Sequence, residues 1–497
     1  MLAAFEAGKK IGELEFASGG PGEVQIEVLD TDGETKRMNL SEAVAASEVC
    51  GRYWDTTLST PRAAGVFGSI SLLRQLPSVL GLGCYLVQDD HSRRKLDPVN
   101  HYLFEDGAPA ALDGSMGQYM WGWRRYFWVS IWKEGKYLYE VAGLKPILGK
   151  PCYKIPVASK GAGNHGVMDR TNTILCSLIS QAEQYRGGTG SVLSYGNMSE
   201  ENASMLGYPA TNIAIQNFEV YGAKRGVGWG AGWGWIETVT MLLMDIILGT
   251  WNAQEAFNPE KDANGLYQGG LGPGVSTMPN WGDYNGYYPV VPLTAGIELG
   301  DGIGVSIYSV KNSAGEVVYN APVPVFFGLK NPFGHLWLGK NRIVAVKQAD
   351  GSYKFYVAKS SLTTWNPSDT EHMLEVGTLP AVAAAGWSYI KSINFNGLAG
   401  VPAELGATSS TYRSDGAYCD VATSGLRAPL GAGNANNGDN DGPAYFNGNN
   451  APSNANANLS SPHYLGRVFC VCIPGLFEGW PRLSPENISS KRVLVGP

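Results

Sequence analysis

Asn437, Asp439, Asp441 and Gly442 reproduce the opening of an EF-hand loop, in which alternate oxygen-bearing side chains converge on one calcium ion. The twelfth position is Gly448 and not the bidentate glutamate, so the spacing does not complete that loop. Cys470-Val-Cys472 puts two thiols on one face of a strand, where core packing is the ordinary outcome because free cysteine is among the most buried residue types. Six histidines (His91, His101, His165, His335, His372 and His463) are dispersed and lack metal-ligand spacing. Asp89-Asp90-His91 reads as a solvated turn. Gly300-Asp-Gly-Ile-Gly304 leads into a strand, so it lacks the helix that a nucleotide fingerprint requires. No Gly-x-Ser-x-Gly elbow occurs. A carboxylate pair for glycoside hydrolysis stays open, since such pairs assemble from distant residues.

The elements that would position these groups are short and strand-rich. At 497 residues the chain is long enough for two or three cores. Its charged fraction is only 16%, with 65 Gly and 14 Trp, a composition of dense turns and aromatic packing. A net charge of −7 and the lack of a basic run disfavour nucleic-acid and anionic-membrane partners. Seven scattered cysteines do not make a disulfide scaffold. Met1-Leu-Ala-Ala-Phe-Glu lacks the features of a signal peptide. Val239 to Leu248, the longest apolar run, contains Asp245 and is too short to span a bilayer. The expectation is a soluble protein folded in a reducing cytosol, leaving the cell by lysis or within a particle.

Alternation at Val24, Ile26 and Val28 before Asp32-Gly33 predicts a strand and turn, and Ser69–Leu76 predicts a helix. Tyr126 to Trp132 and Lys136 to Val141 predict a hairpin turning at Glu134-Gly135. Leu175, Leu178, Ile179 and Ala182 predict one amphipathic helix ending at Gly187-Gly188. Ile236, Val239, Leu243 and Ile246 or Ile247 predict a second, ending at Gly249. Between them, Gly226 to Trp235 alternates Gly with Trp, which lets large rings pack against bare backbone. Hairpins at Ser313-Ala314-Gly315 and Asp350-Gly351 and a strand over Val468 to Ile473 follow. The sum is an α+β fold with many short antiparallel strands and long loops.

One segment departs from the rest. Ten of the thirty-one residues from Gly431 to Ser461 are Asn. Tyr445-Phe446 inside it and the apolar strand after it favour ordered turns over a low-complexity tract. From Leu405 to Phe477 there is no Lys, Glu, Gln, Trp or Met. Those are the five residues that Asn codons cannot reach by changing their first two bases, so adenine-directed mutagenesis would leave this signature. An Asn/Gly-rich turn region with little use for long side chains explains part of the depletion but not the concentrated Asn.

The skeleton Asn437-Gly438, Gly442, Tyr445-Phe446-Asn447, Asn449-Asn450-Ala451 and Ser453-Asn-Ala-Asn-Ala-Asn458 resembles the variable repeat of diversity-generating-retroelement proteins from Bacteroidales phages and prophages. Tyr139-Glu140-Val141, Gln184 to Gly188, Gly226 to Trp235 and Lys261 to Leu271 extend the resemblance over most of residues 115–475. Ala435, Ala444 and Gly448 depart from it, standing where larger or apolar residues are common. The resemblance implies a C-type-lectin-like domain, related to the formylglycine-generating enzyme fold, with long loops that carry solvent-facing variable side chains. A smaller mixed or β N-terminal region over 1–114 would attach it to its particle. The domain would cover 115–475, with a hairpin-rich insertion at 265–400, a variable region at 431–464, and a tail at 476–497.

Ligand contact would fall to Asn434, Asn436, Asp439, Asn440, Asp441, Tyr445, Phe446 and Asn447. Asn449–Asn458 would tie loops to backbone, and His463 and Tyr464 would either rim the site or pack as a pair. Asn, Asp, Tyr and Phe on a rigid scaffold give adaptable hydrogen bonds and aromatic area at low entropic cost. The implied role is non-enzymatic and without a cofactor. It is an adhesin in a virion tail or fibre, assembled in the host cytoplasm, homo-oligomeric, bound to other tail proteins and to a bacterial surface receptor. The calcium motifs Glu-Pro-Asn and Trp-Asn-Asp of sugar-binding lectins are absent, so sugar binding does not follow from the fold. The alternatives are a structural virion component of the same fold, a cysteine-dependent oxidase using Cys470 and Cys472, or a glycan depolymerase.

Overall fold

Stretches rich in Val, Ile, Tyr and Trp dominate the chain, and in the computed structural model they pair into layered sheets with few helices. The structure describes residues 25–29, 35–39 and most of 48–472. Within that span it leaves out 186–209 and 258–290, and shorter breaks at 148, 170, 181, 211–212, 312–315, 335, 359–365, 382–385, 420–424, 435–436, 457–458 and 467–469. Gly187-Gly188, Asn436, the Lys261 to Leu271 stretch and the tail 476–497 therefore lie outside the described residues.

Two six-stranded sheets and one seven-stranded sheet make the body. The first sheet runs Cys470–Cys472, Cys152–Ile155, Phe127–Glu134, Tyr137–Gly143, Val49–Asp55, Gly65–Gly68. The second runs Trp229–Ala231, His463–Gly466, Ala158–Gly161, Gln118–Gly122, Gly83–Val87, Arg93–Lys95. The third runs Val401–Leu405, Gly386–Asn394, Gly416–Cys419, Gly442–Asn447, Leu430–Ala432, Trp337–Gly339, Leu459–Ser460. A four-stranded sheet around Ile343–Lys347 and Tyr353–Ala358 backs the third, the latter strand burying every second residue. One apolar core runs through all of them, from Cys50 to Tyr464.

The expected boundary at residue 114 does not separate the sheets. Val49–Asp55 pairs with Tyr137–Gly143, and Gly83–Val87 pairs with Gln118–Gly122. Nor is 265–400 set aside as an insertion: Trp337–Gly339 and Gly386–Asn394 are interior strands of the third sheet. Long-range pairing, which leaves no local trace in sequence, joins these parts.

At the centre lies the helix Gly234–Leu248, packed on Tyr137–Gly143 and Val49–Asp55 on one side and on Gly442–Asn447 on the other. Apolar residues surround it on all sides, as burial on all sides demands. Its interior hydroxyls, Thr238 and Thr240, bond the carbonyls of Gly234 and Ile236 one turn back. It stops at Gly249, whose φ of 71° is the left-handed value that glycine adopts freely. At fifteen residues it is the longest described helix, and no described helix is long and apolar enough to cross a membrane. The predicted helix near Ser69 is Ile70–Leu80, with Ser69 accepting from the Leu72 N–H as its N-cap. The strands on either side of Glu134-Gly135 and of Asp350-Gly351 pair as hairpins, and Ile303–Lys311 pairs with Val317–Phe326 across 313–315, which lie outside the described residues.

The helix predicted over Leu175 to Ala182 is a correction. Ile174–Cys176 is a strand paired with Val167–Asp169, and only Glu183–Tyr185 makes a 3-10 turn. Leu175 and Leu178 are both buried, but through a hairpin entered at Thr173, whose φ is 56°. Short apolar runs satisfy either period.

Arg413 bridges the layers: its guanidinium donates to Glu140 and to Asp245, each at 2.5 Å, with all three side chains sealed from solvent. Burial raises Glu140 well above the ordinary carboxyl range, Asp245 adding to the rise against the opposing Arg413 charge; burial raises Asp245 too. Acids with raised folded-state values contribute stability at low pH and lose it as pH climbs past the ordinary carboxyl range. Arg413→Met strands two buried carboxylates and is expected to lower the unfolding free energy by about 3–5 kcal/mol. Urea melts should show the larger deficit at pH 8 and the smaller at pH 5.

Candidate functional site

The Asn-rich segment is part of the third sheet. Gly442–Asn447 runs parallel to Gly416–Cys419 and antiparallel to Leu430–Ala432. A strand sends alternate side chains to opposite faces. On the inner face, Phe446 meets Phe355 and Tyr353 edge-on at centroid distances of 5.5 and 6.5 Å, beside buried Ala444. Tyr445 points the other way, where its hydroxyl accepts a hydrogen bond from Trp337 Nε1 at 3.2 Å and its ring lies 5.6 Å from that of Trp387.

This corrects the expected contact set. Asn434, Asp441, Tyr445, Phe446 and Asn447 are all buried, so they are scaffold and do not face solvent. The physical reason is the strand itself: both faces of Gly442–Asn447 are covered, by the four-stranded sheet and by the indoles of Trp337 and Trp387. Asp439 and Asn440 are half-buried and remain accessible. His463 and Tyr464 are a packed pair and not a rim; His463 stacks on Trp229 at 4.5 Å.

The Asn449–Asn458 stretch uses amides and carbonyls to join elements. Asn447 Oδ1 accepts from the Asn449 N–H and from Asn450 Nδ2, and Asn454 Nδ2 donates to Asn450 Oδ1. The carbonyls of Pro452 and Asn454 accept the first N–H groups of the helix Ile215–Ala223, which has no side-chain cap of its own.

What faces outward is an aromatic platform. Trp387 is 48% exposed and packs on Tyr418 at 5.2 Å as well as on Tyr445. Tyr389, two residues along the same strand and hence on the same face, donates to Asp439 Oδ2 at 3.2 Å. Burial and the Asp439 charge push Tyr389 up to about 12, so it stays a neutral donor. Trp337 and Tyr418 are half-exposed, and Asn449 lies exposed just past the strand. Sequence reading missed Trp337, Trp387, Tyr389 and Tyr418. The alternation Trp387-Ser-Tyr389 was the available signal, but it lies 44 residues before Gly431 and shows its relevance only through strand pairing.

A second polar cluster is sealed within the core. Asp301 Oδ1 accepts the Cys84 N–H at 2.8 Å and lies 3.1 Å from His101 Nε2, while Lys95 pairs with Oδ2. His101 Nδ1 meets the Tyr119 hydroxyl at 2.5 Å, and Lys330 donates to the same hydroxyl at 2.6 Å. Ligand atoms of Cys84, His101 and Asp301 lie within 4.8 Å of one another. A metal cation there would meet two ammonium groups, those of Lys95 and Lys330, which already serve the charge balance. Burial pushes Cys84 up to about 12, so it is no thiolate nucleophile at neutral pH. The cluster ties the segment around Asp301 and Lys330 to the second sheet.

No protein-family model matches the chain, and no curated protein is similar enough to count as a relative.

The division into scaffold and surface has a direct test. Phe446→Ala removes a fully buried ring and should cost about 3–5 kcal/mol. Asn449→Ala, on the exposed turn, should change stability by no more than about 0.5 kcal/mol. Denaturant melts of the two variants measure this. Equal small effects would mean that 442–447 is not a core strand.

Proposed function

We propose that this chain is a ligand-binding adhesin of a phage or prophage particle, engaging a bacterial surface receptor through the platform of Trp387, Tyr389, Tyr418 and Trp337 with Asp439, Asn440 and Asn449 at its rim. The observation that carries the reading is Trp387. A large indole left half in solvent on a rigid sheet, packed edge-on and tilted against two tyrosines, is held in place before any ligand arrives. Rigid aromatic area flanked by adaptable amides and one carboxylate suits recognition at low entropic cost. The Asn-rich segment contributes by holding the platform from beneath and lending its turns to the edge, a narrower role than carrying the contacts alone. The resemblance to retroelement-diversified proteins supports placement in a virion tail or fibre, assembled in the host cytoplasm beside other tail proteins. Many copies on one particle would turn modest single-site affinity into firm attachment.

Flow cytometry of the labelled full-length protein on a panel of Bacteroidales strains tests the reading. For a strain that binds, Trp387→Ala is expected to weaken apparent affinity by about tenfold or more, the size of loss typical of a central aromatic anchor. Its melting temperature should stay near that of the parent. Undiminished binding by a folded Trp387→Ala protein would remove the platform from the account.

A further inference from the structure

We propose that Asp441, with Asp415 and Gln254, forms a binding site for a hard divalent cation of the calcium class, set beneath the Asn-rich turn and tying it to the core. The inference stands whatever ligand the surface takes.

Asp441 has no exposed surface, and neither of its carboxylate oxygens has a hydrogen-bond partner among the described residues. Buried polar atoms are almost always partnered, and a buried carboxylate oxygen left alone is among the costliest exceptions. The backbone around it is fixed: the Asp441 N–H donates to the Gly438 carbonyl at 3.1 Å, and its own carbonyl accepts from Gln254 Nε2 at 2.7 Å. Gln254 is itself buried, and its Oε1 also lacks a partner among the described residues. Unpartnered oxygens thus come from two side chains on two separate elements, held together by the bond between Gln254 and the Asp441 carbonyl.

Asp415 supplies the third side chain. It precedes the strand Gly416–Cys419, and one carboxylate oxygen accepts the Ala444 N–H at 2.7 Å. Two glycines leave room for these acids. A Cβ at Gly433 would stand 1.6 Å from Asp441 Oδ1, and one at Gly442 would stand 2.0 Å from Asp415 Oδ1.

The charges facing Asp441 are Asp415 and Asp439, both of like sign. Arg413 pairs with Glu140 and Asp245, and its charge and that of buried Lys340 act on Asp415, opposed by Asp245, leaving Asp441 faced by like charge. Burial pushes Asp441 well above the ordinary carboxyl range, and Asp415 and Asp439 push it the same way. The donors are all oxygen, carboxylate and amide, which selects a hard ion over zinc or copper. The set is not an EF-hand. The side-chain oxygen of Asn437 is taken by the Asn434 N–H, and Asp439 is engaged by Tyr389.

The test uses the full-length protein stripped with EDTA. Thermal melts with and without millimolar CaCl2 at pH 8 and pH 5 are compared for the parent, Asp441→Asn and Asp439→Asn. Terbium luminescence sensitised by nearby tyrosine and tryptophan serves as a second readout. The site predicts that calcium raises the parent's melting temperature at pH 8, and raises it less at pH 5 where protons compete. Asp439→Asn should keep the response and Asp441→Asn should lose it together with the terbium signal. If Asp441→Asn does not fold, the parent decides: a calcium response at pH 8 that fades at pH 5, with saturable terbium binding displaced by calcium, supports the site. A parent indifferent to calcium, magnesium and manganese at pH 8 would overturn it. So would an Asp441→Asn protein that responds as the parent does.

Discussion

Arg413 is the charged link between three parts of the chain that also share one apolar core. Its guanidinium holds Glu140 on the strand Tyr137–Gly143 and Asp245 on the central helix, while its flat face lies 4.8 Å from the ring of Trp251 and 5.5 Å from that of Phe395. Trp251 in turn stacks on Trp54 at 4.8 Å and donates to Glu140. The residues on either side, Tyr412 and Ser414, both sit at a φ of 53°, a backbone region that non-glycine residues enter only when the surroundings impose it. Strain at two positions and the desolvation of Arg413, Glu140 and Asp245 are offset by the two short guanidinium–carboxylate contacts and the ring packing around Arg413. Asp415 and the strand Gly416–Cys419 follow at once. Gly442–Asn447 pairs with that strand, so the Asn-rich segment sits beside the element that Arg413 leads into.

That constraint explains how a stretch with so few apolar residues stays ordered. Asparagine-rich sequence by itself buries too little to repay the entropy of ordering. Here Ala444, Tyr445 and Phe446 anchor the middle of the segment in the core. The side-chain amides that follow this anchor then close turns on one another, and the backbone carbonyls of Pro452 and Asn454 cap the helix Ile215–Ala223. Order is supplied from outside the segment, and its polar groups use that order to make local bonds. Surface positions such as Asn449 and Asp439 can vary in such an arrangement with little effect on the strand.

What could be read from sequence was what local chemistry decides. Gly249 ends the central helix because glycine takes the left-handed conformation there, and Ser69 starts the earlier helix because its hydroxyl caps Leu72. The Gly-Trp alternation does pack rings on bare backbone: a Cβ at Gly230 would lie 2.5 Å from the indole nitrogen of Trp233. Pairings between residues far apart in sequence could not be read. Arg413 lies 273 residues from Glu140, and the strand Gly386–Asn394 is brought beside the Asn-rich segment by way of Gly416–Cys419, which pairs with both. The same gap misplaced the contact residues. Tyr445 and Phe446 look like binding aromatics in an Asn-rich context, and only the pairing of their strand shows them covered on both faces. Leu175 and Leu178 failed for a simpler reason, since a short apolar run fits a hairpin as well as a helix.

The central claim is that the Asn-rich segment is fixed scaffold carrying a preformed platform. Hydrogen exchange read by mass spectrometry on peptides spanning 430–466 tests it most directly. The account predicts that amides of Gly442–Asn447 exchange as slowly as those of the helix Gly234–Leu248, because both sit in one core and open only together. Exchange of 442–447 within seconds, at the rate of an unstructured chain while the helix stays protected, would contradict it.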